Sequence, residues 1–152
     1  MTLIRSGWEP DCESDKGSHE FTYSIYPHIG KWNEHGTVKE GYFLNNSLSV
    51  SSPEPIGDGI LPECASLVEI TGENVVISAF KRSETEDAYI LRIYESGGLS
   101  TTVNMKFGFD VEDIEETDLN ENNVVGRIIG NSREFSFIIE KFELKTFKLK
   151  IR

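Results

Sequence analysis

The chain has 152 residues, of which 38% are hydrophobic and 27% charged, as is ordinary for a globular chain that buries one core or slightly more. Its formal net charge of −11 argues against binding to nucleic acid or to an anionic membrane, because both require clustered Lys and Arg. No apolar run approaches the ~20 residues of a membrane span and the start lacks a signal-peptide pattern, so we expect a cytoplasmic protein.

The first predicted strand covers residues 19–28. Its apolar positions alternate with polar ones, which is the period of a pleated strand; these positions are Phe21, Tyr23 and Ile25. Pro27 has no amide to donate and should end the strand. The acidic, glycine-bearing run at 11–17 is a predicted loop, so His19 and His28 bracket the strand.

Residues 31–46 carry the only helix pattern in the chain. Its apolar residues are loosely spaced for one face, and Gly36 and Gly41 each weaken a helix by ~1 kcal/mol relative to alanine. We therefore expect at most one short or broken helix here. A short strand is predicted at 48–50.

Proline and glycine are concentrated in residues 51–63, which is the strongest linker signal in the chain. We place a domain boundary near residue 60. The predicted division is into residues 1–57 and residues 58–152.

The second part is predicted to be a regular series of strands. Strands separated by turns at intervals of about 8–12 residues, with no helix pattern between them, indicate an antiparallel β-sandwich in an all-β fold. An acidic stretch at 111–119 has two apolar anchors, Val111 and Ile114. The predicted strands cover 66–70, 75–82, 89–96, 100–107, 124–129, 134–139 and 146–152.

Alternation predicts which side chains face the core. Leu91 and Ile93 should face inward and Arg92 outward. In the strand at 75–82, Val76 and Phe80 should share one face, and the other face should carry Val75, Ile77 and Ala79. In the last strand, Lys148 and Lys150 should be exposed, and the residues facing inward should be Phe147, Leu149 and Ile151.

Two glycine-bearing turns predict strand pairs. Gly97-Gly98 is a strong hairpin signal between the strands at 89–96 and 100–107. Gly130-Asn131 is predicted to join 124–129 and 134–139 as another pair.

Several motifs resemble one known family. The first are L-I-R-S at 3–6, D-x-G-x-H-E-F-T-Y at 15–23 and Y-P-H at 26–28. Weaker matches follow in the same order at 75–84, 89–96, 115–121 and 142–151. Together they resemble the late part of glycoside hydrolase family 38 α-mannosidases, more precisely the bacterial and archaeal branch.

The resemblance implies a fold and a function. Residues 1–57 would be the end of a mutarotase-like super-sandwich, and residues 58–152 the small C-terminal sandwich. The chain would be a non-catalytic C-terminal part of an enzyme that hydrolyses α-mannosides with retention, using a divalent metal that we expect to be zinc. The nucleophile and the metal ligands would lie upstream, so the chain itself would be no enzyme. Its partner would be the catalytic part, whether the chain is a piece of a longer protein or a split gene product.

Asp15 and His19 are the candidate site residues, because a loop from this region could reach the substrate cleft and hydrogen-bond to sugar hydroxyls. The alternative is that Asp15 caps the loop and His19 is structural. The three histidines, at spacings of nine and seven, match no zinc motif, and the two cysteines show no motif spacing. Four aromatic residues could stack on sugars or pack between domains: Trp8, Tyr26, Trp32 and Tyr42.

Two other functions remain open. The chain could be a stand-alone carbohydrate-binding or interaction module on a β-sandwich. It could also be the same region of a mannosylglycerate hydrolase. In either mannosidase reading, the surface near Asp15 and His19 should be exposed and apolar, with Trp8 beside it, and the chain could form a homo-oligomer through it.

Overall fold

The computed structural model describes residues 2–5, 7–13, 15–52, 62–128 and 133–151. Within these ranges a 3-10 helix at Trp32–Glu34 and one α-helix, α1 at Thr37–Asn45, precede eight strands. The strands are β1 Val68–Ile70, β2 Val75–Arg82, β3 Tyr89–Glu95, β4 Thr101–Phe107, β5 Val111–Thr117, β6 Val124–Ile128, β7 Glu134–Ile139 and β8 Leu144–Ile151.

The strands form two antiparallel sheets. One has the order β1-β4-β7 and the other the order β2-β3-β8-β5-β6. Side chains of both sheets meet in a single core, with Val103, Met105 and Phe135 from the first and Leu91 and Phe147 from the second. The predicted all-β antiparallel sandwich with one short helix is therefore confirmed.

The helical region is broken as predicted. Gly36 separates the 3-10 helix from α1 and has a φ of 66°, in the left-handed region that glycine adopts without strain. This part of the chain has no core of its own, because none of the described residues between 2 and 52 is fully buried.

The predicted strands at 19–28 and 48–50 are wrong, because the structure has no regular secondary structure there. A strand needs a neighbour for its backbone amides and carbonyls, and no described residue pairs with either segment. Tyr23 and Ile25 are 58% and 83% exposed, so the alternation at 19–28 has no core to face within the described chain. The predicted boundary near residue 60 lies outside the described residues.

The two predicted hairpins are also wrong. Gly97-Gly98 links β3 to β4, which lie in different sheets. The strand β6 pairs with β5, and β7 pairs with β4, so 124–129 and 134–139 are not partners. Local turn chemistry predicts a change of direction in both places, but whether the chain returns beside its own strand depends on contacts with strands far away in sequence.

A β-bulge explains why the prediction of which β2 side chains share a face was wrong. The register against β3 shifts between Ile77 and Ala79, so Ser78 has no partner residue. Beyond the shift Phe80 pairs with Leu91, and it packs against the core while Ala79 faces the other side. A bulge inserts one residue and reverses the alternation after it.

The last strand has its core residues and Lys150 as predicted, but not Lys148. Phe147 and Leu149 are completely buried, Ile151 is partly buried and Lys150 is exposed. Lys148, predicted to be exposed, is only 4% exposed. It lies on the face of the sheet away from the core, where its Nζ is 2.8 Å from Glu86 Oε1 on the β2–β3 turn.

A buried carboxylate holds the β3–β4 connection. Glu95 is 1% exposed and accepts hydrogen bonds from Asn74 Nδ2 (2.7 Å) and from the amides of Gly97 (2.6 Å), Gly98 (2.8 Å) and Phe142 (2.8 Å). Burial alone would raise the pKa of Glu95, but these hydrogen bonds outweigh it and lower the pKa to about 2. A Cβ on Gly98 would lie 2.8 Å from the Phe142 ring, so only glycine fits there.

Candidate functional site

The structure brings the two predicted site residues together. His19 Nε2 lies 2.8 Å from the backbone oxygen of Asp15. Since a carbonyl oxygen only accepts, Nε2 donates this hydrogen bond. The imidazole also stacks on Phe21, with 6.1 Å between ring centroids and planes 16° apart.

The contact uses the main chain of Asp15 rather than its carboxylate. Both residues are exposed, and the structure gives the Asp15 carboxylate no hydrogen bond or ion pair with any described residue. The pair therefore offers an exposed acceptor carboxylate beside an oriented imidazole. The His19 hydrogen bond suits a structural histidine as well, so the cleft-lining role stays a prediction.

The four aromatic candidates fall into different surroundings. Trp8 is 80% exposed and Trp32 47% exposed. Tyr26 donates a hydrogen bond to the backbone oxygen of His35 at 3.1 Å, so it links two nearby parts of the same segment. Tyr42 accepts a hydrogen bond from the Tyr94 hydroxyl at 3.3 Å. Burial, followed by this contact with Tyr42, raises the pKa of Tyr94 to about 12.

A groove of about 830 Å³ lies between the helical region and one end of the sandwich. It is bounded by residues 32–42, by the β1–β2 connection with the start of β2, and by the β3–β4 connection. Two contacts join its walls: Asn33 Nδ2 donates to the backbone oxygen of Gly97 at 2.8 Å, and Tyr94 bonds to Tyr42. Sequence reasoning missed this groove, because its walls come from three distant segments; Trp32 and Tyr42 were the only signal.

The described residues show no arrangement for a resident metal. Across residues 2–5, 7–13, 15–52, 62–128 and 133–151, no three His, Cys, Asp or Glu side chains are grouped to bind an ion. The described residues therefore do not fit the metal that the family resemblance implies. Cys12 and Cys64 are free and exposed. No helix in the described part of the chain is long and apolar enough to cross a membrane.

The two antiparallel sheets and their connections thus form an all-β sandwich domain. Residues 74–147 match the family model of the glycosyl hydrolases family 38 C-terminal beta sandwich domain. On this match and the relatives below, the chain belongs to the C-terminal region of family 38 α-mannosidases.

Three relatives are similar over almost the whole chain. They are Alpha-mannosidase G of Dictyostelium discoideum (32% identical), Alpha-mannosidase of Saccharomyces cerevisiae (28%) and Alpha-mannosidase 2C1 of Mus musculus (26%). The matches cover 97%, 98% and 98% of this chain but only 14%, 15% and 14% of the relatives. All three relatives come from eukaryotes, so assignment to the bacterial and archaeal branch stays a prediction.

Proposed function

We propose that this chain works as the C-terminal part of an enzyme that hydrolyses α-mannosides, where it supports the catalytic part and contributes to the substrate cleft. The observation that carries the proposal is the ordered similarity of nearly the whole chain to a small share of each α-mannosidase. The chain spans 14% of the length of the first of these relatives. A partner region of the same enzyme, on the same or a separate chain, would supply the chemistry.

The contrast between the two parts of the chain supports their predicted division. Residues 68–151 supply the core, whereas the described part of 2–52 buries no residue and leaves Trp8, Phe21, Tyr23 and Ile25 exposed. We propose that residues 1–57 end a larger mutarotase-like sandwich, which would cover the exposed apolar side chains of this part. Self-association through the same apolar surface is the competing way to cover it.

The finer properties of the whole enzyme follow from the family and are proposals here. They are retention of configuration, a divalent metal that is zinc, and a cytoplasmic location. The metal would act as a Lewis acid in the catalytic part. Hydrolysis of mannosylglycerate is the alternative within the same class of reaction.

A stand-alone carbohydrate-binding module is the second candidate function. The groove beside Trp32 favours it, because a half-exposed indole at the mouth of a mixed polar groove is a common way to bind a sugar. The two functions differ in one measurable respect: a module works alone, whereas a supporting part acts only with the rest of the enzyme.

The isolated chain is expected to have no hydrolase activity. Incubation with an aryl α-mannoside and added zinc or cobalt should release no aglycone above buffer, because the nucleophile and metal ligands are expected upstream. Addition of the catalytic part should give turnover. Clear turnover by the isolated chain that disappears in Asp15→Asn would contradict the proposal.

In the complete enzyme, His19→Ala is expected to reduce kcat/KM by about tenfold to a few hundredfold, as for loss of one transition-state hydrogen bond. The melting temperature should stay within a degree or two, because His19 is exposed. His28→Ala is the matched control outside the Asp15 contact and should keep near-normal activity. Full activity together with much earlier melting of His19→Ala would show that His19 is structural.

A further inference from the structure

We propose that the groove between the helical region and the sandwich is a saccharide-binding site. The choice of ligand class rests on the proposed function, since the family acts on sugars. The site itself rests on the shape and chemistry of the groove.

The groove has the volume of a small-molecule site. Its volume of about 830 Å³ falls within the usual range for ligand pockets. One wall is the helical region and the others are the β1–β2 and β3–β4 connections. The Asn33–Gly97 hydrogen bond joins the first wall to the third, so the groove is a built feature and not a gap between unconnected parts.

Trp32 supplies an aromatic platform. Its side chain lines the groove and is 47% exposed, so part of the indole is held by protein and part is free. The C–H face of a pyranose packs on such a surface while its hydroxyls point outward. Trp8, the other tryptophan, is 80% exposed and does not line this groove.

The groove is lined by hydrogen-bond donors as well as acceptors. Glu73 and Lys39 line it, and neither makes a hydrogen bond or ion pair with the described residues, although Lys39 Nζ lies 5.7 Å from the Phe43 ring centroid. Thr37 also lines it, and its Oγ1 is buried without a partner among those residues. The first amides of α1, at Thr37 and Val38, have no partner within the helix.

This mixture favours a neutral polyol over an ion. A carboxylate accepts from sugar hydroxyls, while an ammonium and helix amides donate to them. An anion would be repelled by Glu73 and by Glu34, which also lines the groove, and a cation would be opposed by Lys39 and the helix N-terminus. A hydroxyl is uncharged and both donates and accepts, so it can pair with either kind of group.

The test uses the full chain carrying Trp8→Phe, so that Trp32 is the only tryptophan and reports on the groove. Methyl α-mannoside and an α-linked mannobiose are titrated while fluorescence is followed, with calorimetry as a second readout. We expect a saturable change with a dissociation constant on the order of 1 mM, from the usual affinity per atom of a ligand this size. Sorbitol, which has hydroxyls but no ring face, should not saturate.

Variants then locate the binding. In calorimetry, Trp32→Ala should weaken binding by about tenfold, and Glu73→Gln, on an exposed turn, should weaken it without loss of folding. Trp8→Ala should bind normally. Absence of saturable binding of any saccharide, or binding that is unchanged in both Trp32→Ala and Glu73→Gln, would overturn the proposal. Neither result touches the mannosidase proposal, which is tested by turnover of the assembled enzyme.

Discussion

Glu95→Ala is expected to lower the free energy of unfolding by ~3–5 kcal/mol, a loss at the upper end for single substitutions. Glu95 is buried and its two oxygens accept four hydrogen bonds, three of them from backbone amides. The substitution leaves the buried amide of Gly97 and three part-buried donors without their partner, and a buried group of this kind costs ~1–3 kcal/mol unless water reaches it. Denaturant melts of the full chain measure the difference.

Because the Glu95 carboxylate titrates, the loss of unfolding free energy on its substitution depends on pH. Its pKa is about 2 in the folded chain and near 4.5 in the unfolded chain. A depressed folded pKa contributes stability that is fully present above the unfolded value and is lost as pH falls through the folded one. At neutral pH the contribution is ~3 kcal/mol, so the gap between wild type and Glu95→Gln should close between about pH 5 and pH 2.

Glu69→Ala is the matched control, because Glu69 is an exposed glutamate on β1. It should change the free energy of unfolding by less than about 0.5 kcal/mol at any pH in that range. If Glu95→Ala is equally mild, or if its cost does not shrink in acid, the carboxylate does not hold the β3–β4 connection.

The sequence was sufficient to predict seven of the eight strands of the sandwich and most of the core, since alternation is a local property, but it did not predict β5, whose acidic run hides its apolar positions. Val103, Met105 and Phe107 follow it without interruption on β4, and all three are buried. Alternation fails at Ser78, where the bulge adds a residue, and nothing in the local pattern marks that residue. The prediction for Lys148 is wrong for another reason: Lys148 is buried and paired with Glu86, which lies 62 positions away in the sequence.

Sheet membership could not be read from the chain. A two-glycine turn predicts a hairpin, yet after Gly97-Gly98 the chain crosses to the other sheet. What stabilises the crossing is Glu95 with Asn74 and Phe142, which are 21 and 47 positions away from it. Such a cluster looks like scattered polar residues in the sequence, because only the fold brings its donors to one carboxylate.

The two candidate sites also differ in how far apart their residues lie in the sequence. Asp15 and His19 are four positions apart, so the contact between them is local in sequence, although their role in a substrate cleft stays a prediction. The groove draws its walls from the helical region and from two strand connections, and only Trp32 and Tyr42 marked it in advance. A local motif can bring neighbouring residues to attention, whereas a groove requires the tertiary structure.

Leu149→Ala is expected to cost ~2–5 kcal/mol of unfolding free energy. Leu149 is completely buried at the centre of the five-stranded sheet, paired with Tyr89 on one side and Ile114 on the other. The substitution removes buried methyl groups and leaves a cavity that the flanking strands can fill only in part. Thermal and denaturant melts of the full chain measure the loss.

The neighbouring lysine provides the control. Lys150 is the next residue on the same strand and is exposed, so Lys150→Ala should cost less than about 0.5 kcal/mol. Lys148 would be the wrong control, because it is buried and paired with Glu86. Equal losses for Leu149→Ala and Lys150→Ala would mean that the register of β8 against β3 and β5 is wrong, since a shift of one residue exchanges the two faces of the strand.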